Sequence, residues 1–97
     1  MTRKIQVGKS WYRIILTLHV LERIKERGIN PVDILPAIID CIKMGNVNGI
    51  TKKSIMLEVT EAGFSLVLNV KRNNVKLITA INKINCIAKE GTEKVAV

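Results

Sequence analysis

The residues whose types and spacing could do chemistry lie in one stretch, residues 18–29, which reads L-H-V-L-E-R-I-K-E-R-G-I. His19 is the single histidine of the chain, and Arg23 and Arg27 follow it at steps of four. On a helix a step of four advances about 40° around the axis, so the three side chains share a stripe about 80° wide. An imidazole is the one side chain whose ordinary titration lies near neutrality, which suits it to give or take a proton. Guanidinium groups beside it would grip an oxyanion such as phosphate. Val20, Leu21 and Ile24 fall on the neighbouring arc and face a core, so the stripe borders the apolar side. A solvated charged face explains the same pattern without function, through ion pairs of Glu22 with Lys25 and of Glu26 with Arg23 or Arg27.

These side chains need elements to position them. Thr17 is a candidate N-cap, which would set His19 in the first helical turn, where the helix dipole favours bound anions and disfavours a charged histidine. Gly28 supplies the left-handed residue that ends the helix. Upstream, residues 4–7 alternate weakly, Gly8-Lys9 makes a turn, and residues 10–16 carry the strand formers Trp11, Tyr12, Ile14 and Ile15. That segment pairs back in a hairpin or runs straight into the helix. A second helix begins with Asn30 as N-cap, Pro31 in the first helical position and Asp33 in the first turn. Ile34, Leu35, Ile38, Ile39, Cys41 and Ile42 give it a broad apolar surface. Pro36 is expected to remove one helical hydrogen bond and bend it, and Gly45 closes it.

Residues 46–53 read as loop or weak strand. Three alternating patterns follow, on Ile55, Leu57 and Val59, on Phe64, Leu66, Leu68 and Val70, and on Val75, Leu77, Thr79 and Ile81. Turns at residues 61–63 and at Asn73-Asn74 join them as antiparallel neighbours. Strict alternation puts Thr79 on the core side. The expected fold is α+β, a single domain over residues 1–97. Two N-terminal helices, with or without a preceding short strand or hairpin, pack on a three- to four-stranded antiparallel sheet. The polar tail, residues 88–97, is expected to fray.

Sixteen Lys and Arg against eight Asp and Glu leave a formal net charge of +8 on 97 residues. So basic a small domain points to a polyanionic partner: nucleic acid, an anionic membrane surface or an acidic protein. Opposite the apolar face, the sheet carries Glu58, Ser65, Asn69, Lys71 and Lys76. Arg72 lies in the adjoining turn, and Lys52 and Lys53 stand at the entrance. Such a face suits a phosphate backbone, and it is also what the solvated side of an antiparallel sheet looks like. With one histidine, two cysteines, no C-x-x-C and no acidic cluster, neither a metal site nor a cofactor is expected. Cys41 reads as a small buried hydrophobe. Two lone thiols and no visible signal peptide point to a reducing cytoplasm. No apolar run approaches the roughly 18 residues that span a bilayer, so no membrane partner is expected.

The string H-V-L-E-R-I-K-E-R-G-I, then N-P-V-D-I and a helix ending at Gly45, then a meander closing on V-K-L-I-T-A-I, resembles a widespread family of small bacterial and phage proteins. That family is similar to the BrnT-type toxins and is grouped with the barnase–EndoU–colicin–RelE superfamily of metal-independent ribonucleases. The resemblance spans residues 16–81. The family's helical histidine and its two following arginines are matched by His19, Arg23 and Arg27, and its last-strand threonine by Thr79. The resemblance implies a cytoplasmic endoribonuclease of toxin type, with RNA as substrate and an acidic antitoxin or immunity protein as a partner. In such an enzyme the substrate's 2′-OH attacks the adjacent phosphorus and leaves a 2′,3′-cyclic phosphate. His19 would act as acid or base and Arg23 and Arg27 would hold the phosphoryl oxygens. Glu58 is a candidate base and Lys71 a candidate donor of charge or a proton. The remaining cationic and amide residues, Lys52, Lys53, Asn69, Lys71, Arg72 and Lys76, would bind the RNA backbone. Two alternatives stay open: a non-catalytic basic RNA- or protein-binding domain, and an interaction domain whose sheet edge pairs with another chain.

Overall fold

A computed structural model of the chain describes residues 1–45, 47 and 52–97. Strands come first: β1 (Thr2–Val7) and β2 (Ser10–Ile15) form a hairpin through Gly8, whose φ of +62° only glycine takes without strain. Helix α1 (Leu18–Glu26) follows, then a 3-10 turn (Pro31–Asp33) and helix α2 (Ile34–Lys43). The meander is β3 (Lys52–Val59), β4 (Phe64–Lys71) and β5 (Asn74–Ile81), and β6 (Thr92–Ala96) ends the chain. The six strands form one sheet in the order β1-β2-β5-β4-β3-β6. Within it β2 pairs in parallel with β5 and β6 in parallel with β3, while the other ladders are antiparallel.

This overturns the expected architecture of two leading helices on a three- to four-stranded antiparallel sheet. The meander forms as expected, but it is flanked on both sides by strands delivered from the chain ends. The tail does not fray: Val95 is buried in the main core, and the ladder runs from Ser54–Thr92 to Glu58–Ala96. The expected loop or weak strand over residues 46–53 lies, at positions 46 and 48–51, outside the described residues.

Local signals account for the helices. Thr17 caps α1 by accepting from the Val20 amide. Gly28, at φ +70°, donates to the Lys25 carbonyl while Ile29 donates to Ile24, a Schellman closure that satisfies the last carbonyls. Asn30 caps the 3-10 turn rather than an α-helix. Because α2 starts only at Ile34, Pro36 falls in its first turn, where an N–H would lack a helical acceptor. The proline therefore starts the helix instead of bending it.

The core lies between the helices and one face of the sheet. Val20, Ile24, Ile34, Ile38 and Cys41 meet Tyr12, Ile14, Ile55, Leu57, Phe64, Leu66, Leu68 and Leu77 there. Asp has almost no capacity to sit unpaired in such a cluster. Val95→Asp should therefore lower unfolding free energy by about 3 kcal/mol in urea denaturation, whereas a frayed tail would lose nothing.

Burial pushes the Cys41 thiol up to about 11 from the 9.0 of an exposed thiol; Lys53 pulls it slightly the other way and Glu93 adds to the rise. Between these two values the unfolded chain loses its thiol proton and the folded one keeps it. Stability should thus be intact below pH about 9 and fall by roughly 2 kcal/mol as pH rises to about 11. Cys41→Ala, compared by urea denaturation over the same range, should lose that part of the decline.

Candidate functional site

The residues at the end of α1 owe their position to an interruption in the sheet. β2 pairs with β5 only over Asn74–Lys76, through Arg13, Ile14 and Ile15. Beyond that point the chain turns out of β2 into α1, which packs beside the remainder of β5. Arg27, at the C-cap of α1, donates from Nη1 to the Ala80 carbonyl and to Thr79 Oγ1, the latter at 3.1 Å. Asn82 Nδ2 returns a hydrogen bond to the Arg27 carbonyl at 2.8 Å. The helix end and the strand edge thus satisfy one another's leftover polar groups.

A bulge on β5 decides where Thr79 stands. Val67 pairs with Thr79 but Leu68 pairs with Leu77, so Ile78 is an extra residue without a partner. An inserted residue reverses the alternation beyond it. Ala80, fully buried, takes the core position, and Thr79 is half-buried with its hydroxyl on Arg27. The expected core placement of Thr79 is corrected by this single bulge. The structure brings Arg27 and Thr79 together across 52 residues of sequence.

His19 and Arg23 lie exposed on α1, two turns and one turn before Arg27, and among the described residues neither side chain has a hydrogen-bond or ion-pair partner. His19 is in the first turn, as the Thr17 cap requires. Both described side-chain bonds of Arg27 use Nη1, and its Nη2 and Nε hydrogens have no described partner.

Glu58 is not part of this group. It stands on β3, two strands from β5, on the sheet face away from the helices. It is 7 % exposed, ion-paired with Lys94 Nζ at 3.2 Å, and accepts from the Asn85 amide. Its neighbour Ser65 is sealed and donates to the Lys83 carbonyl. Residues 82–91, crossing from β5 to β6, cover this end of the outer face. A carboxylate pinned there is a structural anchor, which removes Glu58 as a base for His19's substrate.

The outer face opens toward its other end. Along β4 it runs from sealed Ser65 through Val67 to exposed Asn69 and Lys71, and along β3 from Glu58 and Met56 to exposed Lys52. Lys52, Lys71 and Lys76 stand on this open end with Asn69, as expected, and Lys52, Asn69 and Lys71 line a depression of about 400 Å³. Lys53 borders the same depression but stands on the opposite parity of β3: it pairs in register with core-facing Val70 and makes an ion pair with Glu93 of β6. The turn is made by Arg72 and Asn73 rather than Asn73 and Asn74, and Arg72 itself takes φ +55°. Two residues carried no weight in the sequence beyond strand propensity, Trp11 and Arg13. Both lie on this same face, and only the β2–β5 pairing reveals it.

Among the described residues, no group of three His, Cys, Asp or Glu converges to hold a metal ion, and no helix is long and apolar enough to cross a membrane. No family model, curated protein or solved structure matches the chain.

The structural role of Arg27 can be measured apart from any activity. Arg27→Ala strands the Ala80 carbonyl and Thr79 hydroxyl and should cost about 1–2 kcal/mol in urea denaturation, while His19→Ala and Arg23→Ala should stay within about 0.5 kcal/mol of wild type.

Proposed function

We propose that this chain is a metal-independent endoribonuclease whose phosphate-handling site is the exposed stripe of α1. The observation that carries this is the contact of Arg27 with Thr79. It joins at one edge of the sheet the helical arginine and last-strand threonine that the ribonuclease resemblance pairs, on the same helix stripe as an accessible histidine two turns away. His19 takes the proton of the 2′-OH as that oxygen forms its bond to phosphorus. The bond to the 5′ oxygen breaks, and the imidazolium returns the proton to that leaving oxygen. Arg23 and the remaining N–H groups of Arg27 hold the phosphoryl oxygens as negative charge builds on them. Thr79 positions Arg27 and takes no part in proton transfer. The net positive charge raises the local concentration of RNA, and an acidic inhibitor protein would be held by the same charges.

A non-catalytic RNA-binding role has one specific observation in its favour: Glu58, the carboxylate that could have complemented His19, is committed beneath the crossover. The two readings part in a single assay. On a fluorescently labelled single-stranded RNA, with chelator present, wild type should release fragments ending in 2′,3′-cyclic phosphate. His19→Ala should slow this about 100-fold or more without loss of stability. RNA that is bound but left intact by wild type, or cut equally by His19→Ala, would assign the chain to the binding role.

A further inference from the structure

Register across the sheet places cations side by side on the outer face. Lys52 lies opposite Lys71, Lys71 opposite Asn74, Asn74 beside Arg13, and Arg13 opposite Lys4. All five are exposed. The row crosses β3, β4, β5, β2 and β1, about 19 Å at the usual spacing between strands. Like charges directly opposite one another destabilise a ladder. The face holds two such pairs, Lys52 with Lys71 and Lys4 with Arg13, and no described acidic residue shares the row. An array of this kind is relieved by a polyanion that runs across the strands.

At the β1–β2 end of the row stands Trp11, the single tryptophan, 60 % exposed. Its backbone is fixed from two sides. It pairs with Gln6 in β1, and its carbonyl accepts from Asn73 Nδ2 at 2.9 Å, while the next turn of the ladder is tied by the Arg13 amide on the Asn73 carbonyl. Trp11, Lys4, Arg13, Asn73 and Asn74 surround a depression of about 600 Å³. An exposed aromatic on a pinned backbone, one row from the Lys4–Arg13 pair, is suited to stacking on an unpaired base while its phosphates meet the cations.

We propose that this face is a docking surface for single-stranded nucleic acid, with Trp11 as the stacking platform and Lys4, Arg13, Lys71 and Lys52 as the phosphate track. The identity of the ligand as RNA rests on the function proposed above, but the surface does not depend on cleavage. It lies on the other side of the sheet from the helices, and it would hold the flanking strand while the scissile segment passes the edge at α1.

The test uses a 2′-O-methyl oligouridine about twelve nucleotides long, which cannot be cleaved by its own 2′ oxygen, so binding is read independently of catalysis. The oligomer should quench the fluorescence of Trp11 saturably. The logarithm of affinity against that of salt should slope near −3, as about four phosphates on a single strand require. By anisotropy of a labelled oligomer, Trp11→Ala should weaken Kd about tenfold and Trp11→Phe much less. The double variant Lys4→Ala, Arg13→Ala should flatten the slope by about 1.4. Binding without quenching, or unchanged affinity and salt slope in the Trp11 and Lys4/Arg13 variants, overturns the proposal. So does equal quenching by polyglutamate, which would mark an acidic-protein surface, or failure to bind at all. Intact binding in a protein that never cuts RNA would leave this surface standing and dismiss the catalytic role of α1.

Discussion

The candidate site depends on one guanidinium group holding a helix against a broken strand edge. β2 leaves β5 half-paired, and α1 ends where a further strand would have been. Arg27 supplies the donor that the Ala80 carbonyl would otherwise lack, and Asn82 supplies one for the carbonyl of Arg27. Buried or half-buried polar groups without partners cost more than any one such bond contributes, so this exchange fixes the helix end firmly. Arg23 and His19 are then placed by helical geometry alone. The Thr17 cap and the Gly28 closure fix both ends of that helix, which leaves the stripe no freedom to rotate.

The two faces of the sheet divide the work. One buries the aliphatic core under α1 and α2. The other is sealed at the end where residues 82–91 cross and open at the end where the lysines stand. Of the acidic groups near this outer face, Glu58 is spent beneath the crossover on Lys94 and Asn85; Glu93, on the opposite parity of β6, is spent on Lys53. Neither is left to neutralise the open end, and that is why the basic surplus of the composition becomes a surface feature and not a scatter of solvated charges.

What the sequence disclosed was local. A threonine cap, a glycine closure and three alternating patterns each act within a few residues, and each formed at or near its expected place. The parallel pairings of β2 with β5 and β6 with β3 were not legible, because they join segments far apart in the chain and their hydrogen bonds are made by backbone that any residue supplies. The tail read as frayed because Thr92, Glu93 and Lys94 are polar; only Val95 is strongly buried, and one position gives no period. The bulge escaped for a related reason. V-K-L-I-T-A-I fits strict alternation as well as it fits an insertion at Ile78, and the choice is made by the close packing of Ala80 and the pull of Arg27 on Thr79. Glu58 looked available because an acid on a solvent-side strand position usually is; its cover is supplied by a segment with no regular structure of its own. Trp11 and Arg13 gained meaning only once β2 was seen beside β5.

The most direct test of this account is a double-mutant cycle between Arg27→Ala and Thr79→Val, read by urea denaturation. If the guanidinium and the bulge hydroxyl form one clamp, the two losses should be less than additive, with a coupling of about 0.5–1 kcal/mol. Fully additive losses would mean that Arg27 does not bind Thr79 in solution, and the assembly of the site from helix and last strand would fail.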